Sequence, residues 1–414
     1  MAGRTIKSAA TLIPPCSFDR PGPMMSASLI SLERTIFNGD HGAFRKAARD
    51  FAEREALPNL AAWEAQKSVD RRLYRKAGEM GLLGMDVPER FGGGGIDDFR
   101  FSVVVAEELC LAGAYGIAMN LIDFNDLVAP YFRVLGSESQ NTKWLAPMCA
   151  GEKIGAIAMT EPGTGSDLGA ITTTARPYQD GFVLNGSKTF ITNGMLADVI
   201  IVVAKTDPSA AKRGISLLVV EDGMPGFTRT GPLDKVGLTM QDTAELHFDD
   251  VHIPRGNVLG EINMGFSYLR RNLARERLSI AVCSMASMTR TFDTAMRYAT
   301  DRTAFGQSIA SFQANRFYLA ELATEIQIGQ VFVDRCVLDA THDVLDEAHA
   351  AMAKWWTTEL HLKVVQRAVQ LHGGYGYMRE YDVAKDYLDC RATTIFGGTT
   401  EIMKEIIGRR LTTS

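Results

Sequence analysis

The chain has 414 residues, 46% hydrophobic and 22% charged, the composition of a globular protein and a length that calls for two or three domains. Its net charge of −5, from 44 basic and 49 acidic residues, argues against a general nucleic-acid or membrane surface, and no apolar run is long enough to span a bilayer. Cys16, Cys110, Cys149, Cys283, Cys336 and Cys390 show no CxxC or paired-metal spacing, and the seven histidines form no HxH or HxxxH, so the sequence predicts reduced, buried thiols and no metal site.

Residues 1–30 carry Arg4, Lys7 and Arg20 but no apolar core of the secretory kind, and Pro14, Pro15, Pro21 and Pro23 break any helix there. They read as a disordered extension, although the basic, acid-poor composition also suits an organelle transit peptide. The expected location is the cytoplasm, with the mitochondrial matrix as the alternative. From 31 to 152 the periodicity is helical: Phe44, Ala48, Phe51 and Glu55 fall three to four apart, as do Leu73, Ala77 and Met80, with breaks at Pro58, Gly92–Gly95 and Pro130. From 153 to 262 the texture turns to strands, in IGAIAMT, GFVLNGSKTF, VIIVVAK, GISLLVV and ELHFDDVHI. From 263 to 414 long helical periods return, and Trp355 and Trp356 are expected in the core of that helical bundle. Helices, sheet, then long helices predict an α+β protein.

One carboxylate stands out. In GFSYLRRNLARERLSIAVCS, helical spacing puts Glu276 on the apolar face of Leu269, Leu273, Ile280 and Cys283, with Arg275 and Arg277 to either side. Lost hydration disfavours its charged form and raises its pKa, which is how a protein makes a carboxylate a usable base near neutral pH. A buried ion pair with Arg277 or a neighbouring helix is the alternative reading.

Three glycine-rich stretches follow the same double reading. AMTEPGTGSDLG (Ala158–Gly169) is not a dinucleotide fingerprint, because strand and hairpin follow it where a helix should; it is either an anion-binding turn or a plain tight one. In QLHGGYGYMREY, Gly373, Gly374 and Gly376 allow close approach to a ligand or merely end a helix. In IFGGTTEIMKE, Thr399 with Glu401 and Glu405 suits a helix N-terminus with free N–H groups. Arg302, in DRTAFG, either meets a diphosphate or is a solvated loop arginine.

GLLGMDVPERFGG, AMTEPGTGSD, LNGSKTFITNG, DRTAFGQSI, QLHGGYGYMREY and GGTTEI, in this order and spacing, resemble the flavin-dependent acyl-CoA dehydrogenases from about Ser31 to Leu411. The resemblance implies an N-terminal helical domain, a middle β-barrel-like domain and a C-terminal four-helix bundle, assembled as a homotetramer that binds FAD. It places Met159 and Thr160 along the flavin ring, Ser166 at FAD phosphate and the CoA side, and Phe190, Ile191 and Thr192 behind the flavin. Phe190 stands where many relatives carry Trp. Arg302, Phe305 and Gln313 match positions that bind the FAD of a partner subunit. Gln370, Gly373 and Gly374 match the adenosine-diphosphate cradle, and Thr399 and Glu401 the contacts to phosphates and adenine. Asp382 replaces the proline usual after Glu380-Tyr381.

The departure that matters is Phe396-Gly397-Gly398-Thr399: medium- and short-chain members carry their catalytic Glu where this chain has Gly397. The long-chain and isovaleryl branches place the base on the first long helix of the C-terminal domain, before Arg-Leu, which Glu276-Arg277-Leu278 matches. The implied reaction is α,β-dehydrogenation of an acyl-CoA thioester to the trans-2-enoyl-CoA. Glu276 is its α-proton base and flavin N5 its hydride acceptor, with Arg277, Phe396 and the Gly397 N–H at the substrate. An electron-transferring flavoprotein is the implied electron acceptor. The closest resemblance is to the long-chain branch, so a medium-to-long acyl group is expected. An isovaleryl-type substrate or an oxygen-using acyl-CoA oxidase is the alternative.

Overall fold

The protein, here a computed structural model, is described over residues 32–412, so the extension expected over 1–30, with Cys16, lies outside the described residues. The chain opens with helices α1 (Gly39–Phe51), α2 (Leu60–Gln66), α3 (Arg71–Glu79), α4 (Arg100–Leu111), α5 (Tyr115–Ile122), α6 (Ala129–Leu135), α7 (Glu138–Gln140) and α8 (Ala146–Cys149). Asn38 caps α1 in a reciprocal box with His41, and Asp70 caps α3. Three π-helical turns, Ala52–Ala56, Asp123–Val128 and Asn141–Leu145, each end two residues before a proline. Proline offers no N–H to the i→i−4 ladder, and the wider turn accommodates the gap.

The middle of the chain forms a mixed sheet of β1 (Gly155–Ala158), β2 (Thr174–Tyr178), β3 (Gly181–Thr192), β4 (Val199–Lys205), β5 (Ile215–Glu221), β6 (Phe227–Thr230), β7 (Thr243–Pro254) and β8 (Val258–Leu259). Its order is β6-β7-β3-β2-β4-β5-β8, with β1 parallel to β4. The near-continuous apolar runs of β4 and β5 follow from burial on both faces. Ile200, Val202, Leu218 and Val220 fill the sheet's own core, while Val199, Ile201, Leu217 and Val219 join the core shared with the helices.

The last third is helical: α9 (Gly265–Asp301), α10 (Gln313–Thr341), α11 (Glu347–His372), α12 (Asp382–Cys390) and α13 (Thr400–Thr412), with a small hairpin of β9 (Thr303–Ala304) and β10 (Gln307–Ser308) between α9 and α10. The architecture is the expected one of helices, sheet and helical bundle. One packing expectation fails. Trp356 is 42% exposed and Trp355 only half-buried, whereas Lys354 beside them is fully buried. The tryptophans stand on the outer side of α11, and the Ala350, Ala353, Thr357 and Thr358 face takes the lysine inward. The five described cysteines are free and buried.

Candidate active site

Glu276 sits in α9, between buried Leu269 and Ile280. The residue keeps partial exposure, but its Oε2 is sealed from solvent and has no hydrogen-bond partner among the described residues. Burial pushes its carboxyl up to about 7, against a downward pull from the charges of Arg277 and Lys354. No ion pair closes with Arg277, whose guanidinium reaches instead toward Glu347 at 3.5 Å and the Gly397 carbonyl at 3.4 Å. The alternative reading of Glu276 as half of a buried Glu–Arg pair therefore finds no support in the geometry.

Opposite Glu276 stands Gly397, in the left-handed region at φ 64°. A Cβ there would lie 3.6 Å from Glu276 Oε1 and would overlap Ile280 Cδ1. The position of a side chain at 397 and the carboxylate at 276 thus adjoin each other. Lys354 closes the same corner: its ammonium donates to the Gly398 carbonyl at 2.7 Å, and burial lowers its pKa to about 8. Sequence reasoning passed over Lys354, although a lysine amid Ala350, Ala353, Thr357 and Thr358 was a readable signal. Phe396 packs against the main core and Thr399 caps α13, accepting from the Ile402 N–H at 3.3 Å. Glu401 is exposed on the first turn of α13.

Asp123, also unforeseen, lies in the π-helical turn that packs on α9. Burial, then the charges of Glu276 and Asp242, push its carboxyl well above the ordinary range, and the Asn193 amide is 3.4 Å away. Its neighbour Asp126 accepts from Arg275 at 3.1 Å and from the Ser279 hydroxyl at 2.7 Å, which pins the turn to α9.

The middle-domain residues form a second group. Met159 and Thr160 follow β1 and are half-buried, and Ser166 is exposed in the glycine turn. β3 shifts register between Lys188 and Ile191, and there Phe190 adopts φ 60° and turns outward, 69% exposed, while Ile191 is buried and Thr192 partly so. The carbonyls of Met159 and Thr160 are held by Lys188 Nζ at 2.9 Å and the Thr189 N–H at 2.9 Å. Lys188 is itself buried against Glu161 at 2.8 Å, so this pair fixes the shelf from beneath. Its motif was visible in the sequence, but the pairing was not.

Arg302, Phe305 and Gln313 are not brought to Glu276. Arg302 follows the end of α9, 26 residues from Glu276 and so about 39 Å along the helix at 1.5 Å per residue. Phe305 is 94% exposed on the hairpin and Gln313 is exposed at the start of α10. Gln370, Gly373 and Gly374 are exposed at the same end of the bundle, where the Tyr298 hydroxyl donates to the His372 carbonyl.

Family models for the acyl-CoA dehydrogenase N-terminal, middle and C-terminal domains match residues 38–152, 156–251 and 263–412. A long-chain specific mitochondrial acyl-CoA dehydrogenase of Sus scrofa is 45% identical over 380 residues, covering 91% of this chain and 88% of the relative. The chain belongs to the acyl-CoA dehydrogenase family. An acyl-CoA dehydrogenase of Geobacillus kaustophilus has the same fold, with a TM-score of 0.88 and 46% identity, over 92% of this chain and all of the other. A glutaryl-CoA dehydrogenase of Mycobacterium smegmatis, solved with FADH2, superposes with a TM-score of 0.85 at 25% identity, over 92% of this chain and 96% of the other. The dehydrogenase is an FAD-dependent oxidoreductase. Its residues fit that cofactor: the ring of Phe190 turns outward next to Thr189, whose N–H holds the Thr160 carbonyl, and a Cβ at Gly373 or Gly374 would meet open space. Among the described residues, no helix is long and apolar enough to cross a membrane.

Proposed function

We propose that this enzyme introduces the α,β double bond into a medium-to-long-chain acyl-CoA, with Glu276 removing the α-proton and an electron-transferring flavoprotein taking the electrons. The observation that carries the assignment is the carboxyl of Glu276, with Oε2 sealed from solvent and unpartnered among the described residues and Oε1 facing the space left by Gly397. A carboxylate without hydrogen bonds keeps its basicity, and a pKa near 7 matches the working pH of a general base. Arg277 and Lys354 stay close enough to hold part of the residue population ionised at neutral pH without quenching it in a contact pair. The Gly397 N–H is the donor available to a thioester carbonyl in this corner, since glycine supplies the backbone donor as well as glutamate would.

Bound FAD supplies the hydride acceptor. Met159, Thr160, Phe190, Ile191 and Thr192 would hold its ring, Ser166 a phosphate on the CoA side, and Thr399 and Glu401 its phosphates and adenine end. Arg302, about 39 Å along α9 from the base, would serve the FAD of another subunit with Phe305, Gln313, Gln370, Gly373 and Gly374. That separation supports a homotetramer in which subunits complete each other's cofactor sites. The 45% identity to a relative named long-chain specific supports the chain-length preference.

The test is anaerobic titration of the holoenzyme with CoA thioesters of increasing length, followed by the visible flavin band. Bleaching with octanoyl- to palmitoyl-CoA, lost in Glu276→Gln with FAD still bound, is the expected result. A Glu276→Gln protein reduced at the wild-type rate would remove Glu276 from the mechanism.

A further inference from the structure

An open cleft of about 200 Å³ lies between α6, the first turns of α9 and the connection from α10 to α11. Whole-ligand sites run to about 300–1,000 Å³, so this cleft suits one end of a ligand. Its apolar wall includes Phe99, Val134, Ala340 and Leu345. Tyr268 and Asn272 of α9 also line it, and with Glu276 and Ile280 they form a single ridge at four-residue spacing. Ile280 is the side chain that a Cβ at Gly397 would overlap. One face of one helix therefore leads from the Gly397 corner, past the base, into the cleft, and Asn272 is a single turn, about 6 Å, from Glu276.

Tyr131 closes that route. It lines the cleft yet is 2% exposed. Its hydroxyl is sealed from solvent with the Asn272 side chain against it, and it feels the charge of Glu276. Turning the ring into the cleft, where Val134 is 51% exposed and Arg271 is at the surface, would hydrate the hydroxyl and open the wall.

We infer that Tyr131 is a gate at the far end of the acyl site and that the cleft behind it receives the distal carbons of the longest acyl chains. This inference rests on the acyl-CoA reading above. The gate explains how one enzyme takes both medium and long chains: a medium chain ends against the closed ring, and a longer one displaces it.

The experiment is stopped-flow flavin reduction of the holoenzyme with butyryl-, octanoyl-, palmitoyl- and stearoyl-CoA, in wild type, Tyr131→Ala and Val134→Trp. Tyr131→Ala is expected to raise the stearoyl-to-octanoyl ratio of kcat/KM at least fivefold, mainly through KM. Val134→Trp, at an exposed position where folding is not at stake, is expected to lower the same ratio at least fivefold by filling the cleft. Bleaching by wild type with an unchanged ratio in Val134→Trp would overturn the cleft as an acyl subsite. A wild-type flavin that no thioester bleaches would overturn the acyl-CoA reading itself, and the inference with it.

Discussion

Replacing Glu276 with glutamine should make the protein more stable at alkaline pH while abolishing flavin reduction. The carboxyl of Glu276 rises from its ordinary 4.5 to about 7 on folding, because burial removes its hydration and no hydrogen bond compensates at Oε2. At 1.36 kcal/mol for each tenfold change in proton affinity, that rise corresponds to about 3 kcal/mol. The folded state binds the proton more tightly than the unfolded one, so the two proteins have similar stability below about pH 4.5. As pH rises from there to about 7 the wild type must either keep a proton that the unfolded chain releases or bury a charge. Above about pH 7 the full deficit is present, and the neutral glutamine escapes it. The assay is thermal unfolding of the FAD-loaded proteins at several pH values without substrate. The melting temperature of Glu276→Gln should exceed that of wild type at pH 8, with the gap closing toward pH 5. Equal melting temperatures at both ends would show that Glu276 is not desolvated, and the argument for a poised base would fall with it.

Other expectations follow from the same geometry. The rate of flavin reduction should rise about tenfold per pH unit on the acid side and level off above about 7, as Glu276 ionises; stopped-flow reduction across pH 5.5–9 reads this directly. Lys354→Met removes a charge that pulls the base down, so that acid limb should move up by about one pH unit, and a stationary limb would place Lys354 outside the site. Gly397→Ala puts a Cβ into the left-handed region against Ile280, for a loss of about 1–2 kcal/mol from the backbone alone, measurable as a lower melting temperature together with slower flavin reduction. Lys188→Met leaves the Glu161 carboxylate, held at about 2 by its neighbours, buried without its cation. A loss of about 3–5 kcal/mol is expected, with weaker FAD retention because the Met159–Thr160 shelf loses its support, readable by unfolding and by flavin release on dialysis.

Glu276 was legible in the sequence as the candidate base because a local pattern and a family resemblance converge on it. A carboxylate at helical spacing among Leu269, Leu273 and Ile280 is anomalous by itself, and the family resemblance, with Gly397 where other branches carry their glutamate, points to the same residue. The three-part order of helices, sheet and long helices was equally plain, since period 3.6 and period 2 are properties of neighbouring residues. The tryptophan pair shows the limit of composition. Hydrophobicity sent Trp355 and Trp356 inward, but which face of α11 turns to the bundle is set by neighbouring helices, and they admitted Lys354.

What the tertiary structure alone decided are contacts between residues far apart in the chain. The 121 positions from 276 to 397 give no sign that a side chain at 397 would overlap Ile280 and touch the carboxylate of Glu276. Asp123 enters the site through a π-helical turn that widens ahead of Pro130 and packs on α9. Lys188 and Glu161 look like solvated charges in their motifs until the sheet buries them together. Sequence determines which chemistry is at hand, because residue type and local period are written in it. Proton affinity depends on what surrounds a group after folding, so only the packed structure decides that Glu276 is left bare, with Lys354 close enough to keep it usable.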